Sequence, residues 1–536
     1  MSDLFKKKSI TGLLREAAAN EHGLKKTLGA WSLIALGIGA IIGAGLFVRT
    51  AAASADAAGS GVTLSFAVAA IGCAFAGLCY AEFASTIPIS GSAYTYSYAT
   101  LGELIAWIIG WALVMEYALG AATVSIAWSE YLNNLLGGAI PYELCHSPFE
   151  HVNLLKGAEN IKMLGEFDIK MIESAKNGML VLSDSDLAKA PKEIASLVKT
   201  SSGIVNAPAL IILLLVTLLL IKGTQESAFI NGIMVFLKVA IVLVFIVIGW
   251  QFIKPENHTP YLIPENYDKA HSAWNTWGWG GVIGGAAIVF FAFIGFDAVS
   301  TAAQEAKNPK RDMPIGILGS LVICTILYIL FGHVLTGVAH WSEYGKAGKE
   351  ASVSYAVGTY MQGYSWLATS ITIAILAGFS SVILVMLMGQ SRVFYSMSND
   401  GLLPKVFSEL HPKFKTPYKS NIILFVMVGL FAAFVPGSVA GDLTSFGTLF
   451  AFVIVCAGII VMRKTHPNLH RPFRTPLVPL VPILGILVCL FMIAALSLDT
   501  LVSAGLWMVI GLLIYFLYGR KRSKLKGQDN TESEEE

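Results

Sequence analysis

Two glycine-interrupted stretches decide the fold: GIGAIIGAGLF, residues 37–47, and FFAFIGFD, residues 290–297. Each lies inside a long apolar segment. A broken membrane helix leaves backbone N–H and C=O groups unpaired, which is tolerated only where protein or a water-filled cavity satisfies them. A matched pair of such breaks therefore predicts a substrate site at membrane depth.

The composition indicates a membrane protein. Of 536 residues, 55% are hydrophobic and 13% are charged, whereas soluble domains carry about a quarter charged residues. The net charge of +2 gives no footprint for nucleic-acid binding. The six cysteines show neither a disulfide framework nor a zinc spacing. We therefore predict no metal, no cofactor and no nucleic-acid partner.

Twelve apolar segments are long enough to cross about 30 Å of hydrocarbon. The sequence thus predicts an all-α integral membrane protein with twelve transmembrane helices. The predicted segments are 29–53, 62–87, 101–136, 206–222, 229–253, 278–303, 314–339, 366–397, 420–436, 443–463, 477–497 and 500–518.

Basic residues concentrate on one predicted side, which the positive-inside rule assigns to the cytoplasm. Both termini, a leader over 1–28 and a tail over 519–536, are therefore predicted to be cytoplasmic in a plasma or bacterial inner membrane. The outer loop 138–204 is predicted to cap the outer face, with a partner-binding or substrate-receiving role as the alternative, and to carry an amphipathic helix over 161–178. The cytoplasmic basic residues are Lys6, Lys7, Lys8, Arg15, Lys25, Lys26, those of 307–311, Lys405, Lys413, Lys415, Lys419, and those of 463–474 and 520–526.

The breaks fall in the first and sixth segments, five helices apart. Helices one to five (29–253) and six to ten (278–463) would then have opposite topology, which is the pattern of an inverted repeat. The last two helices, within 477–518, stand outside the repeat.

Four blocks carry a family resemblance: GIGAIIGAGLFV (37–48), AEFASTIPISGSAYTYSY (81–98), FFAFIGFDAVSTAAQEAKNPKRDMPIGI (290–317) and GQSRVFYSMSNDGLLP (389–404). They resemble the cationic amino acid transporter branch of the amino acid/polyamine/organocation superfamily. The resemblance implies a five-plus-five inverted repeat with discontinuous helices 1 and 6, and transport of amino acids. The long outer loop departs from the compact bacterial members.

The first break is suited to an amino acid's carboxylate. Free N–H groups at Gly43, Ala44 and Gly45, above a helix N-terminus, offer donors and a favourable dipole. The resemblance assigns the same role to this stretch, with Ile41 beside it, although many relatives have a hydroxyl residue in place of Ala44. Close helix packing through small residues is the alternative explanation.

The second break is suited to the ammonium group. The carbonyls of Phe291, Ala292 and Ile294 would face it at a half-helix end. Phe291 and Phe296 are candidates for a gate that seals the site, with plain packing as the alternative. Asp297 is interpreted as an N-cap of the following half-helix.

Lys238 lies in the middle of the fifth segment, where an ionisable residue costs roughly 2.5 to 3.5 kcal/mol. In sodium-coupled relatives of the fold a cation lies between helices one, five and eight, and the resemblance implies that Lys238 replaces it. The lysine could then couple a proton to transport. The alternative is a static strut on the carbonyls of 37–40 and the hydroxyl of Ser380 or Ser381.

Glu116, in the third segment, is the second ionisable residue at membrane depth. We predict that it stabilises the charge of Lys238 or passes its proton, with a protonated structural glutamic acid as the alternative. Glu82 is predicted to pair with a basic residue such as Arg392. His333 is predicted to be a packed polar residue.

The sequence excludes several classes of protein. It has no P-loop, no HExxH, no GxSxG with plausible partners and no charged pore ring, so an enzyme, an ATP-driven pump and a channel are disfavoured. The predicted function is proton symport of L-amino acids by alternating access, with small or neutral substrates favoured because the pocket is largely apolar. The alternatives are a uniporter or exchanger of arginine and lysine, and an amino acid sensor without transport. The sequence predicts no oligomeric state.

Overall fold

The computed structural model describes residues 2–10, 12, 26–43, 45–89, 91–156, 179–182, 198–264, 277–346, 352–494, 496 and 498–525. Over these ranges the chain is almost entirely helical, as its hydropathy predicts. The physical reason is that a helix pairs its own backbone groups where the bilayer offers no water.

Most of the helices overlap the predicted segments, whereas Ala93–Thr100, Trp341–Lys346 and Ser352–Tyr360 lie outside them. In the first half they are Ala30–Ile41, Val62–Thr86, Ala93–Thr100, Glu103–Val114, Gly120–Leu135, Ala207–Lys222 and Thr224–Gly249. In the second half they are Gly278–Phe290, Pro309–Val338, Trp341–Lys346, Ser352–Tyr360, Ser365–Asn399, Tyr418–Phe434, Gly437–Thr465, Leu480–Ala494 and Leu498–Ile514.

Eight helical stretches of the described chain are long and apolar enough to span a membrane. Four shorter apolar helices overlap other predicted segments, at Ala30–Ile41, Ala207–Lys222, Tyr418–Phe434 and Leu480–Ala494. The chain is therefore a multi-pass membrane protein. The count of twelve spans and the inverted repeat stay predictions.

Two long helices organise the centre. Pro309–Val338 packs against Val62–Thr86 and against Ala30–Ile41, which leads into the first break. Ser365–Asn399 packs against Gly120–Leu135 and Thr224–Gly249. Both breaks consequently lie inside the protein, where their unpaired backbone groups can find partners.

The loop 138–204, predicted to lie on the outer side, contains a small antiparallel sheet that the sequence did not predict. Its strands are β1 (His151–Lys156), β2 (Met179–Leu182) and β3 (Val198–Ser202), in the order β2-β1-β3. Register pairs include Leu154 with Val181 on one side and Asn153 with Thr200 on the other. The predicted amphipathic helix over 161–178 lies outside the described residues.

Residues near both chain ends contact one face of the protein, which we call the terminal face. The Lys8 ammonium lies 2.7 Å from the Asp400 carboxylate, and the Lys524 N–H donates to the Asp400 carbonyl at 3.1 Å. The Ser523 hydroxyl donates to the buried carboxylate of Glu103. The prediction that this face is cytoplasmic stays a prediction.

Candidate functional site

The first break lies where its glycines predict it. The helix Ala30–Ile41 ends with the Ile42 N–H bonded to the Ile38 carbonyl, and a new helical turn begins at Gly45 with π-type geometry. Residues 42 and 43 are not helical. Ala44 lies outside the described residues, so its predicted contact with a carboxylate stays a prediction.

The second break is built around one glycine. The helix Gly278–Phe290 passes into a tight 3-10 turn over Phe291–Phe293, and a further turn follows at Ile294 and Gly295. Gly295 then has φ +108°, and a Cβ there would lie 2.9 Å from the Cβ of Ala40. Because other residues rarely adopt this conformation, glycine is needed both for the turn and for the close approach.

The two breaks meet each other directly. A Cβ built on Gly45 would lie 2.2 Å from the Cα of Ala292. The Tyr328 hydroxyl lies 2.9 Å from the carbonyl oxygens of both Ile41 and Ala292. The groups predicted to bind the two ends of an amino acid thus lie side by side in a closed arrangement.

Tyr328 is a site residue that the sequence did not indicate. It belongs to Pro309–Val338, is fully buried, and bridges the two breaks through one hydroxyl. A hydroxyl has a single hydrogen, so it donates to one carbonyl at a time. A tyrosine in an apolar helix gives no sequence signal for this role, because the role depends on two segments far away in the chain.

Lys238 ties the first break to the helix Ser365–Asn399. Its side chain is fully buried, and its ammonium donates to the Ile42 carbonyl at 2.7 Å and to the Gly39 carbonyl at 3.0 Å. It also donates to the Ser381 hydroxyl at 2.7 Å. Ser381 in turn donates to the Gly39 carbonyl at 2.9 Å. These contacts resemble those expected of a static strut, and the coupling role of Lys238 stays a prediction.

The two serines offered by the sequence have different surroundings. Ser381 contacts Lys238, whereas the Ser380 hydroxyl donates to the Leu376 carbonyl of its own helix at 2.8 Å. Only the tertiary structure separates these adjacent residues, because they point in different directions from the same helical turn.

Glu116 is not among the hydrogen-bond partners of Lys238. It is fully buried within a π-helical turn, Met115–Leu119, and neither carboxyl oxygen has a hydrogen-bond partner of good geometry among the described residues. Its strongest electrostatic neighbour is Asp297. Single π turns inside α-helices often accompany functional sites.

Asp297 was interpreted wrongly as an N-cap. Gly295 holds the cap position of Phe296–Glu305, and no side chain caps that helix. Asp297 is fully buried and accepts a hydrogen bond from the Tyr117 hydroxyl. The structure thus brings together two carboxyl groups, at 116 and 297, that sequence reasoning had treated separately.

The two candidate gate residues differ in their surroundings. Phe291 is half-buried, and the Arg49 guanidinium lies 5.3 Å from the centre of its ring. Phe296 is fully buried, with its ring 6.0 Å from that of Tyr80 and 5.0 Å from that of Phe452. Phe291 therefore fits a gate better, and Phe296 fits packing beneath the second break.

Glu82 pairs with basic residues, as predicted, but Arg392, the residue named as an example, is not one of them. The Glu82 carboxylate binds Arg463, at 2.9 and 2.8 Å, and lies 3.2 Å from Arg471. Arg392 instead pairs with Glu305, at 2.8 Å, and both side chains are buried. Each arginine finds a carboxylate that is distant in sequence, which the chain alone could not specify.

His333 contacts two rings. Its ring centre lies 5.4 Å from that of Trp250 and 4.5 Å from that of His258. It is partly exposed. No group of three or more His, Cys, Asp or Glu side chains suited to a metal ion occurs among the described residues.

Comparisons with known proteins agree on one family. The model of the family described as amino acid permease matches residues 28–518. The branched-chain amino acid permease BcaP of Bacillus subtilis (strain 168) is 42% identical over 97% of this chain and 99% of its own length. The methylthioribose transporter of the same organism is 38% identical over 98% and 100%. Cationic amino acid transporter 4, vacuolar, of Arabidopsis thaliana is 31% identical over 87% and 68%.

Proposed function

Because the chain belongs to the amino acid permease family, we propose that it is a secondary active transporter of L-amino acids that works by proton symport and alternating access. It is not an enzyme, since its relatives are transporters. The proposal rests above all on Lys238, a buried cation that bonds the first break to the helix Ser365–Asn399.

The main chain of the two breaks would hold the substrate's main chain. N–H groups over 43–45 would bind the carboxylate, and the carbonyls of Phe291, Ala292 and Ile294 would bind the ammonium group. Direct contact between the breaks at Gly45 and Ala292 supports this, since a modest separation would open a space bordered by both sets of groups. Phe291 would close that space from outside.

Lys238 would couple the proton. When charged, it holds the carbonyls of Gly39 and Ile42 against Ser381. When neutral, it would lose charge-assisted hydrogen bonds, which are about twice as strong as neutral ones. Loss of the proton would thus loosen the first break from Ser365–Asn399, and the two helices could move apart. A static strut is the alternative, and a Lys238→Met variant separates the two, because it abolishes the charge that coupling requires.

Glu116 and Asp297 would form a second, separate proton site. Two adjacent carboxylates repel each other in a buried setting, so we propose that the pair shares one proton, with Tyr117 donating to Asp297. Asp297→Asn removes one of the two carboxyl groups, so that no proton can be shared between them. We expect this variant to flatten the dependence of exchange on pH, measured as counterflow at pH values from 5 to 8; an unchanged profile would contradict a role for the pair.

Small or neutral amino acids are the proposed substrates. We assign Glu116 to the proton site with Asp297, its strongest electrostatic neighbour, and the remaining pocket walls near the breaks are then largely apolar. The relatives that transport branched-chain amino acids and methylthioribose agree with uncharged cargo. Cationic substrates are the second candidate, because other relatives are cationic amino acid transporters.

The proposed architecture has two five-helix units, over 29–253 and 278–463, with two further helices in 477–518. The first helix of each unit is the broken one. Alternating access would arise when the helices around the breaks rock against the rest. The terminal face is proposed to be cytoplasmic, which accords with its basic loops.

Counterflow in proteoliposomes tests the function. Vesicles loaded with unlabelled alanine or leucine should take up the same labelled amino acid transiently above equilibrium. Competition by each of twenty L-amino acids and by methylthioribose, at two pH values, would then rank substrates. Arginine and lysine as the strongest competitors would overturn the neutral assignment, and specific binding without any counterflow would establish a sensor instead.

A further inference from the structure

The turn over residues 463–476, with the sequence RKTHPNLHRPFRTP, joins the helices Gly437–Thr465 and Leu480–Ala494 at the terminal face. It contains four arginine or lysine residues and two histidines. No acidic residue follows it until Asp499. The turn is therefore a strongly cationic segment directly beside a membrane helix.

Part of this charge is turned inward. The buried Glu82 carboxylate binds Arg463 and Arg471 and accepts the Thr475 N–H at 2.7 Å. Arg471 also donates to the His466 carbonyl at 2.6 Å and so fixes the shape of the turn. Two cations on one carboxylate leave a surplus positive charge beneath the surface.

The remaining charge is turned outward. Lys464, His470 and Arg474 are exposed. Among the described residues, Lys464 and Arg474 have no hydrogen bond to protein and no acidic partner, and Arg474 lies close enough to Arg471 for their charges to repel. These side chains are available to an anion, and such an anion would relieve the repulsion around Arg471.

The position of the turn indicates where that anion would come from. Leu477 and Leu480, which follow Arg474 closely, are 72% and 52% exposed. Further exposed side chains, among them Leu487, continue the apolar surface along the helix Leu480–Ala494. Apolar side chains exposed in this way face lipid chains, so the cations stand at headgroup level.

We propose that this turn is a binding site for the headgroup of an anionic phospholipid, with Lys464 and Arg474 on the phosphodiester and Leu477 and Leu480 beside the acyl chains. Basic pockets next to membrane helices suit acidic lipid headgroups. A free inorganic anion would meet the same cations but would gain nothing from the leucines. The lipid would hold the ends of Gly437–Thr465 and Leu480–Ala494 together at the terminal face.

Native mass spectrometry of the full-length protein, titrated with phosphatidylglycerol, tests the proposal. Each Lys or Arg near a membrane surface contributes to the free energy of binding acidic lipids. We therefore expect the double variant Lys464→Gln/Arg474→Gln to bind phosphatidylglycerol roughly 30-fold more weakly. The matched control is Lys405→Gln/Lys413→Gln, which removes two exposed cations from another loop of the same face. If the turn itself is the binding site, the control should lose less than about threefold, which is well below the loss expected from general surface charge. Circular dichroism should show both variants folded.

Two further experiments distinguish a lipid headgroup from a free inorganic anion. Leu477→Gln/Leu480→Gln should weaken phosphatidylglycerol binding but leave the cations intact, and inorganic phosphate should not displace the lipid. Equal weakening in the control pair would reduce the effect to surface charge and overturn the proposal. Displacement by inorganic phosphate, or full lipid binding by the leucine variant, would make the turn an anion site without lipid and would overturn it as well.

Discussion

Replacing Lys238 by methionine should separate proton coupling from substrate exchange. Methionine has a similar length and no charge. The substitution removes the donors to Ser381, Ile42 and Gly39, which lie at 2.7, 2.7 and 3.0 Å. The Ser381 hydroxyl still lies 2.9 and 2.7 Å from the Gly39 and Gly378 carbonyls and can donate to one of them at a time, whereas the Ile42 carbonyl loses its lysine donor outright.

The effect on stability should be small. An acceptor left without its donor costs about 1 to 3 kcal/mol. Removing the ionisable group from membrane depth avoids an unfavourable free energy of roughly 2.5 to 3.5 kcal/mol. The two terms nearly cancel, so the variant should fold and purify like the wild type.

The effect on transport should be large. With one proton per substrate, a gradient of one pH unit supplies about 1.4 kcal/mol, enough for roughly tenfold accumulation. We expect the wild type to approach that ratio in proteoliposomes, and Lys238→Met to stop near a ratio of about one while counterflow continues. Lys254→Met, an exposed lysine near the opposite face, is the matched control and should accumulate normally.

Two results would refute the reasoning in different ways. Full proton-driven accumulation by Lys238→Met would remove the coupling role. Loss of both accumulation and counterflow in a folded variant that still binds substrate would favour the static strut. A protonophore added to the wild type should lower accumulation to the level of the variant.

Three further predictions concern the breaks and their support. Gly45→Val should lower substrate affinity at least about tenfold, since even a Cβ would lie 2.2 Å from the Cα of Ala292; unaltered affinity in a direct binding assay would contradict the first-break assignment. Tyr328→Phe removes the hydroxyl between the breaks, so counterflow should slow about two- to tenfold, in line with a hydrogen bond of roughly 0.5 to 1.5 kcal/mol, and a rate equal to the wild type would exclude a positioning role. Arg392→Met leaves Glu305 buried without its partner, so thermal unfolding should show a loss of about 3 to 5 kcal/mol; a stability equal to the wild type would mean that the pair contributes nothing net.

The sequence predicted where the main chain of the site is broken more accurately than it predicted which side chains meet there. Glycines mark both breaks because no other residue allows the φ of Gly295 or the approach of Gly45 to Ala292. Lys238 was visible because a charge in the middle of an apolar segment needs a reason. These signals belong to short stretches of the chain, so the sequence alone is enough to detect them.

Partners were harder to predict than positions. Glu82 was expected near Arg392 but binds Arg463 and Arg471. Glu116 was expected to serve Lys238, but it makes no hydrogen bond to the lysine, and its strongest electrostatic neighbour is Asp297. A charged residue in an apolar helix needs a partner, and this need can be inferred from the sequence. The identity of the partner depends on which helices pack together.

By itself the sequence determined a multi-pass helical membrane protein with two broken segments and one buried lysine, because hydropathy, glycine and isolated charges are properties of short stretches. Only the tertiary structure decided that the Tyr328 hydroxyl contacts both breaks and that Lys238 donates to Ser381 rather than Ser380. It also decided that Glu116 and Asp297 are electrostatic neighbours. Each of these depends on helices remote in the chain and on the rotation of each helix about its axis. Packing fixes that rotation, and local sequence does not.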